Sequence, residues 1–218
     1  MVTEIKTKSP VTDIWLDATW DEYIERVADP IYDAAKCYYY NQQLRIQMAP
    51  VGFDHAECNG ILPIFINLFC LVQKLRTRLL INCSYRKPGL REAQPDLSYY
   101  LVTSDRQIPS GSSPVNLDQY DPPELAIEIS DTSLATDLGE KRMLYEELGV
   151  KEYWVVDVKK SKIIAFKIVS NNGSQKMTQS EILPDLEMTL LEAGLRQSKQ
   201  MDNTELSNWF LTQIKGST

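Results

Sequence analysis

The sequence lacks the motifs that define several large classes of enzyme. It has one histidine, which is too few for a histidine-rich zinc site. It contains no Walker phosphate loop, no G-x-S-x-G nucleophile elbow and no G-x-G-x-x-G segment after a predicted strand. These absences argue against zinc hydrolases, P-loop nucleotide hydrolases, serine hydrolases and dinucleotide-dependent enzymes.

Paired cysteines and long apolar segments are also missing. The chain has four cysteines without any C-x-x-C pair, and no secretory apolar segment follows Met1, so we expect reduced thiols in the cytoplasm. The longest apolar stretch, residues 61–72, is interrupted by Pro63 and Asn67 and is shorter than the roughly 20 residues of a membrane span. We therefore expect a buried helix and no membrane partner.

The chain has no excess of positive charge. It contains 23 Lys and Arg against 30 Asp and Glu, which gives a formal net charge of −7. Such a protein does not attract polyanions over its whole surface. An anionic partner would have to be met by a local basic patch.

A length of 218 residues predicts one domain at residues 13–218, preceded by a flexible N-terminal tail at residues 1–12. Capping signals predict helices after Thr19, from Asp54 to about residue 75, and from Ser133 or Thr136 to Leu148, where Gly149 is the stop signal. A further helix is expected at residues 205–214. Alternation and turn residues predict strands at residues 44–48, 79–83, 95–102, 125–130, 153–158, 162–169 and 181–183. One crossover helix between strands indicates a mixed α/β sheet.

Two acidic residues have unusual positions in this pattern. Alternation places Glu128 in the middle of the apolar strand 125–130, on the face opposite Ile127 and Ile129. An acid there must face water, a cation or another partner. Asp96 lies near the start of the strand 95–102, where a turn or strand-edge role is an equal alternative.

Lys141 is the third residue with an unusual position. It lies on one face of its helix within a stripe that is otherwise apolar or aromatic, formed by Leu134, Leu138, Tyr145 and Leu148. The stripe points Lys141 toward the sheet, although a side chain that extends to the solvent is the alternative. Two acids can hold a divalent cation, and a lysine beside them can stabilise charge that develops on a phosphoryl group.

A set of segments extends this pattern along the chain in a fixed order. The segments are residues 48–55, 95–96, 122–130, 149–157 and 183–186, together with Asp137, Lys141 and Tyr145. In this order they resemble the Uma2 family, an endonuclease group within the PD-(D/E)XK restriction-endonuclease-like superfamily. The resemblance covers nearly all of residues 15–215.

The resemblance implies a restriction-endonuclease-like mixed β-sheet core flanked by α-helices, and an endonuclease that uses Mg²⁺ or Mn²⁺ to hydrolyse DNA. It makes Asp96 the first acid and Glu128 the second, and both would be metal ligands. The superfamily's usual lysine would stand two residues after the second acid, where this sequence has Ser130, so Lys141 resembles a relocated equivalent. Many relatives also carry a Glu where Tyr38 stands, which puts a second metal site or full activity in doubt.

Further site residues follow from the resemblance and from local charge. His55 and Gln94 are candidates for residues that support the metal ligands without binding the metal themselves. For His55, a purely structural role is the alternative. The segment from Gln73 to Arg91 has no acidic residue, and its six basic residues are Lys74, Arg76, Arg78, Arg86, Lys87 and Arg91. We expect Arg86 and Lys87 to contact the DNA backbone, against the alternative of a solvated surface.

We therefore expect a cytoplasmic endonuclease whose partner is DNA. A homodimer is expected because two active sites related by a two-fold axis can cut both strands. The first alternative is a catalytically silent nucleic-acid-binding or mobile-element accessory protein with the same fold, which the residues Tyr38 and Ser130 allow. The second is an oligomeric α/β scaffold without a nucleic-acid role, which leaves Lys141 unexplained.

Overall fold

The structure, a computed structural model, describes residues 12–48, 51–169 and 173–216. Apart from Thr12, the predicted N-terminal tail lies outside these residues. The described residues form six α-helices, one short 3-10 helix (Pro30–Tyr32) and twelve strands. The helices are α1 (Trp20–Val27), α2 (Phe53–Gln73), α3 (Leu134–Leu138), α4 (Glu140–Leu148), α5 (Met188–Gln197) and α6 (Asn203–Gly216). The strands are β1 (Leu16–Asp17), β2 (Lys36–Tyr40), β3 (Gln43–Gln47), β4 (Thr77–Ile81), β5 (Tyr85–Lys87), β6 (Arg91–Ala93), β7 (Leu97–Leu101), β8 (Val115–Asn116), β9 (Leu125–Ser130), β10 (Glu152–Asp157), β11 (Lys162–Val169) and β12 (Gly173–Met177).

The strands form two mixed sheets. The central sheet has the order β12-β11-β10-β9-β7-β4, in which β9 and β10 are parallel and the other neighbours are antiparallel. Helices α3 and α4 form the crossover that joins β9 to β10. The second sheet has the order β1-β3-β2-β6-β5-β8. The chain leaves this sheet after β6 and enters the central sheet at β7, and residues 94–96 connect the two strands.

Helices cover both faces of the central sheet. Leu125, Ile127 and Ile129 of β9 point to the face where α2, α5 and α6 form the largest apolar core. Ala126 points to the opposite face, where it meets Tyr145 and other apolar residues of α4. The period of two in a strand therefore sends Glu128, which shares a face with Ala126, toward α4.

The predicted α/β architecture is confirmed, with local corrections to its helices and strands. The cap predicted at Asp54 is wrong, because Gly52 is the extended N-cap residue and Asp54 lies in the first helical turn. The helix predicted to end at Leu148 is broken into α3 and α4 at Gly139, where a Cβ would lie 2.9 Å from the Ala135 carbonyl oxygen. Gly149 ends α4 with a φ of 83°, as predicted.

The strand predicted at residues 181–183 is also wrong. The main-chain N–H groups of Glu181 and Ile182 donate to the carboxylate of buried Glu152 rather than to a neighbouring strand. The pattern also missed β12, which pairs with β11 after the turn predicted at residues 171–173. Residues 171 and 172 lie outside the described part of the chain.

Among the described helices, α2 alone has the length and hydropathy of a membrane span, with a mean hydropathy of 1.4. In its most apolar window, 44% of the residues are buried inside the protein. Its residues Phe65, Ile66 and Phe69 lie in the core with residues of α5 and α6. A core helix passes the same test, so the buried helix expected from the sequence accounts for this segment.

A close contact between α2 and α5 gives a test of this packing. A Cβ at Gly194 would lie 2.4 Å from the ring of Phe65, which stacks on Phe210 of α6. We expect Gly194→Ala to lower the free energy of unfolding by about 1–3 kcal/mol, because the three helices would have to move apart. Urea denaturation measures the change.

The matched control is Gly60→Ala in α2, where an added Cβ meets nothing within 4 Å. Alanine is the better helix former, so this variant should gain about 0.5–1 kcal/mol. An equal gain in Gly194→Ala would contradict the close helix packing.

Candidate active site

A cavity of about 370 Å³ lies beside the crossing between the two sheets. The cavity is lined by all of the predicted catalytic and supporting residues, namely Asp96, Glu128, Lys141, His55 and Gln94. Lys36 of β2 and residues 131–133 after β9 complete much of its wall. The predicted residues among them lie up to 86 positions apart in the sequence, from His55 to Lys141.

Asp96 is held where the main-chain pairing between β7 and β9 stops. The last pair of that ladder is Leu97 with Ile127. Beyond it, Asp96 Oδ2 accepts a hydrogen bond from Ile129 N–H at 2.8 Å. The carboxylate takes the place of the next main-chain acceptor, so it is fixed by β9 itself.

The other carboxylate oxygen of Asp96 faces two basic side chains. Asp96 Oδ1 lies 2.5 Å from Lys36 Nζ and 3.5 Å from His55 Nε2. Burial acts to raise the pKa of Asp96, but the His55 hydrogen bond and the Lys36 charge outweigh it and hold this pKa well below its ordinary value. Asp96 is therefore an ionised carboxylate.

Glu128 is buried in the middle of β9, with 2% of its surface exposed. Its Oε1 accepts hydrogen bonds from the Tyr145 hydroxyl at 2.7 Å and the Tyr38 hydroxyl at 3.2 Å. Its Oε2 lies 3.4 Å from Lys141 Nζ. Burial raises the pKa of Glu128 to about 7, while the charge of Lys141 acts in the opposite direction. The alternative that Glu128 faces water is thus wrong.

Lys141 is as deeply buried as Glu128 and does not extend to the solvent. Its Nζ lies 2.9 Å from Asp137 Oδ1, donates to the Tyr38 hydroxyl at 3.1 Å and lies 4.2 Å from the centroid of the Tyr38 ring. Burial alone would lower the pKa of Lys141, but the charges of Glu128 and Asp137 outweigh it and raise this pKa. The ammonium is a fixed positive charge in the cavity wall.

Tyr38 and Ser130 both belong to the network around Lys141. Tyr38 contacts Lys141 directly, and its hydroxyl oxygen also lies 2.9 Å from the carbonyl oxygen of Gln94, which competes with Glu128 Oε1 for the single hydroxyl proton. Ser130 Oγ lies 3.5 Å from Ser133 Oγ, which donates to Asp137 Oδ2 at 2.5 Å. Tyr38 therefore holds the lysine of α4 directly, and Ser130 is linked to it through Ser133 and Asp137.

His55 and Gln94 lie beside Asp96, as expected. His55 extends from the first turn of α2, and its buried Nδ1 has no hydrogen-bond partner among the described residues. Gln94 accepts from Cys37 N–H at 3.4 Å and donates to the Asn82 carbonyl at 3.0 Å. Gln94 therefore links β2 to the segment after β4 at the edge of the cavity.

Arg86 and Lys87 of β5 do not line the cavity. Arg86 Nε lies 2.5 Å from Glu92 Oε2, and that carboxylate is 4% exposed. Lys87 Nζ lies 2.6 Å from Asp118 Oδ1, and both of these side chains are exposed. Lys87 can exchange its partner at little cost because exposed ion pairs are weak, whereas Arg86 is tied to a buried acid.

Sequence reasoning missed three contributors to the site. Lys36 had no recognisable signal, because the strand β2 was not predicted. Asp137 and Tyr145 were part of the family resemblance but had no assigned role. The spacing of four residues between Asp137 and Lys141 was a signal for their contact on one helical face.

The residues at the cavity fit a hard divalent cation. Asp96 and Glu128 offer carboxylate oxygens, and the Ile129 carbonyl points to the same strand edge as the N–H that binds Asp96. In the part of the chain that the structure describes, no three His, Cys, Asp or Glu side chains are grouped to hold a metal. The site therefore fits Mg²⁺ or Mn²⁺ held by two carboxylates together with water or substrate phosphate, rather than enclosed by protein ligands.

The fold has a counterpart among solved structures. It resembles the crystal structure of "a putative nuclease belonging to DUF820 from Anabaena variabilis ATCC 29413", with a TM-score of 0.55 and 15% sequence identity. The match covers 88% of this chain and 99% of that one. At this identity the likeness establishes the fold alone, which is a restriction-endonuclease-like nuclease fold.

The family is established by the sequence itself. The Uma2 family, described as "Putative restriction endonuclease", matches residues 20–203, which is more than four-fifths of the chain. The chain belongs to this family. No curated protein matches it in sequence.

The buried lysine gives a test of the network. We expect Lys141→Met to lower the free energy of unfolding by about 3–5 kcal/mol, because Glu128 and Asp137 lose the positive charge that compensates them. Urea denaturation followed by circular dichroism measures the loss. The control is Lys167→Met, whose ion pair with Glu181 is exposed, and we expect it to change stability by no more than about 0.5 kcal/mol. Equal losses in the two variants would contradict the network.

Proposed function

We propose that this chain is a metal-dependent endonuclease that hydrolyses phosphodiester bonds in DNA. The observation that carries the proposal is the convergence of two buried carboxylates and one buried ammonium on a single cavity. Membership of a restriction-endonuclease family supports the same reaction. In this proposal Asp96 and Glu128 hold Mg²⁺ or Mn²⁺, and Lys141 stabilises charge on the reacting phosphate.

The chain's own groups have distinct roles in this reaction. When bound, the metal lowers the pKa of a coordinated water and neutralises phosphate charge. The Tyr145 and Tyr38 hydroxyls hold Glu128 Oε1, which leaves Oε2 directed toward Lys141. Lys141 is fixed before substrate arrives, so its charge needs no reorganisation during the reaction. His55 contacts Asp96 and fixes the orientation of its carboxylate.

A catalytically silent, nucleic-acid-binding protein is the second candidate. Its support is specific: Tyr38 supplies a neutral hydroxyl where many relatives carry a carboxylate, and Lys36 already occupies Asp96 Oδ1. The two candidates differ in turnover. The enzyme nicks or linearises supercoiled plasmid when Mn²⁺ is added, and Glu128→Gln abolishes the cleavage. The accessory protein binds the same DNA and leaves it intact.

Metal binding tests the centre without a choice of substrate. We expect calorimetry to show one Mn²⁺ per chain, with affinity at least tenfold weaker in both Asp96→Asn and Glu128→Gln, because each variant removes an anionic oxygen ligand. The control is Asp118→Asn, which removes an exposed carboxylate outside the cavity and should bind Mn²⁺ as the unchanged protein does. Failure to bind Mn²⁺, or equal binding by all four proteins, would contradict the assigned centre.

DNA binding tests the basic patch. We propose that Lys87 exchanges Asp118 for a DNA phosphate, so Lys87→Ala should weaken binding and reduce the slope of log K against log salt by about 1. The matched control is Lys167→Ala, because its ion pair with Glu181 is similarly exposed. Fluorescence anisotropy on a labelled duplex measures both slopes, and equal slopes would refute the contact.

We propose that Arg86 supports this surface while it stays paired with Glu92. We also propose that the active form is a homodimer, since two sites related by a two-fold axis can cut both strands. Light scattering on the DNA complexes from the anisotropy experiment gives the number of chains per duplex. One chain per duplex would contradict the dimer.

A further inference from the structure

The contact between Lys36 and Asp96 is unlike the other charge pairs of the site. Asp96 uses Oδ2 to bind the N–H of Ile129, so Oδ1 is the oxygen left for a cation. Lys36 Nζ lies 2.5 Å from that oxygen. An ammonium and a metal ion cannot both occupy this position, because both are cations that need the same lone pairs.

The two lysines of the cavity differ in how firmly they are held. Lys141 is 2% exposed and is surrounded by Glu128, Asp137 and the Tyr38 hydroxyl. Lys36 is 23% exposed, and Asp96 is the acid with which it pairs among the described residues. The ammonium of Lys36 can therefore move into the solvent-accessible part of the cavity, whereas that of Lys141 cannot.

The position of Lys36 on β2 gives it a route out of the contact. Lys36 and Tyr38 share one face of β2, and this face meets the two catalytic acids. Tyr38 is buried beside Glu128, whereas Lys36 lines the mouth of the cavity with Gln47 and Met48. A lysine chain can rotate about four single bonds there without disturbing the strand pairing of β2.

We propose that Lys36 is a resident counter-ion of Asp96 that a divalent cation must displace, and that it thereby weakens cation binding to this site. The inference rests on the proposed function and deepens it. Lys36 balances the charge of Asp96 when no cation is bound. After displacement, its ammonium remains in the cavity, where it can pair with a substrate phosphate.

The test is a Mn²⁺ titration by calorimetry on the full chain. Lys36→Met keeps most of the length and volume of the side chain but removes its charge. We expect Lys36→Met to bind Mn²⁺ at least tenfold more tightly than the unchanged protein. Lys36→Arg keeps the positive charge and should bind no more tightly than the unchanged protein.

Two further variants show that the gain acts through Asp96. Lys36→Met combined with Asp96→Asn should lose the gain, because the ligand itself is removed. Lys167→Met removes a lysine that does not line the cavity and should leave Mn²⁺ affinity unchanged. Thermal unfolding of each variant before titration establishes that the proteins compared are folded.

The possible outcomes separate this inference from the proposed function. The counter-ion role is supported if Lys36→Met binds Mn²⁺ more tightly than the unchanged protein and none of the other variants does. Equal or weaker binding by Lys36→Met, with one Mn²⁺ bound to the unchanged protein, overturns the inference and leaves the metal centre in place. Absence of Mn²⁺ binding in both proteins overturns the inference and the metal centre together.

Discussion

The site depends on one constraint, which is that the buried ammonium of Lys141 must be fully compensated. A charge removed from water is costly unless opposite charges and hydrogen-bond partners surround it. Glu128, Asp137 and the Tyr38 hydroxyl supply those partners from β9, α3 and β2. One positive charge thus links the central sheet, its crossover helices and the second sheet at a single point.

The junction between the two sheets places Asp96 and Glu128 in different electrostatic environments. Asp96 lies just after the chain leaves the second sheet, and it continues the β7–β9 ladder with its side chain. It is held ionised by basic neighbours, whereas burial raises the pKa of Glu128 to about 7. Two carboxylates of different proton affinity therefore face one cavity.

Tyr38, Lys141, Asp137 and Ser130 are physically connected to each other. The positive charge at this point comes from helix α4 through Lys141. A lysine on a helix needs its own support, which Asp137 provides from one turn earlier on the chain. Tyr38 adds a hydroxyl in contact with both Lys141 and Glu128 without adding another negative charge. Lys141, Asp137 and Tyr38 are thus parts of one arrangement.

The sequence by itself determined the strand 125–130 and the faces on which Glu128 and Lys141 lie, because periods of two and of about 3.6 residues are local properties of the chain. The tertiary structure decided that both side chains are buried. The sequence did not determine the break at Gly139, which depends on backbone crowding. It also wrongly predicted a strand at residues 181–183, because the distant carboxylate of Glu152 binds the main chain there. Only the tertiary structure decided that Lys36 lies on Asp96, 60 positions away. No local pattern encodes such a contact, because it depends on how two sheets meet.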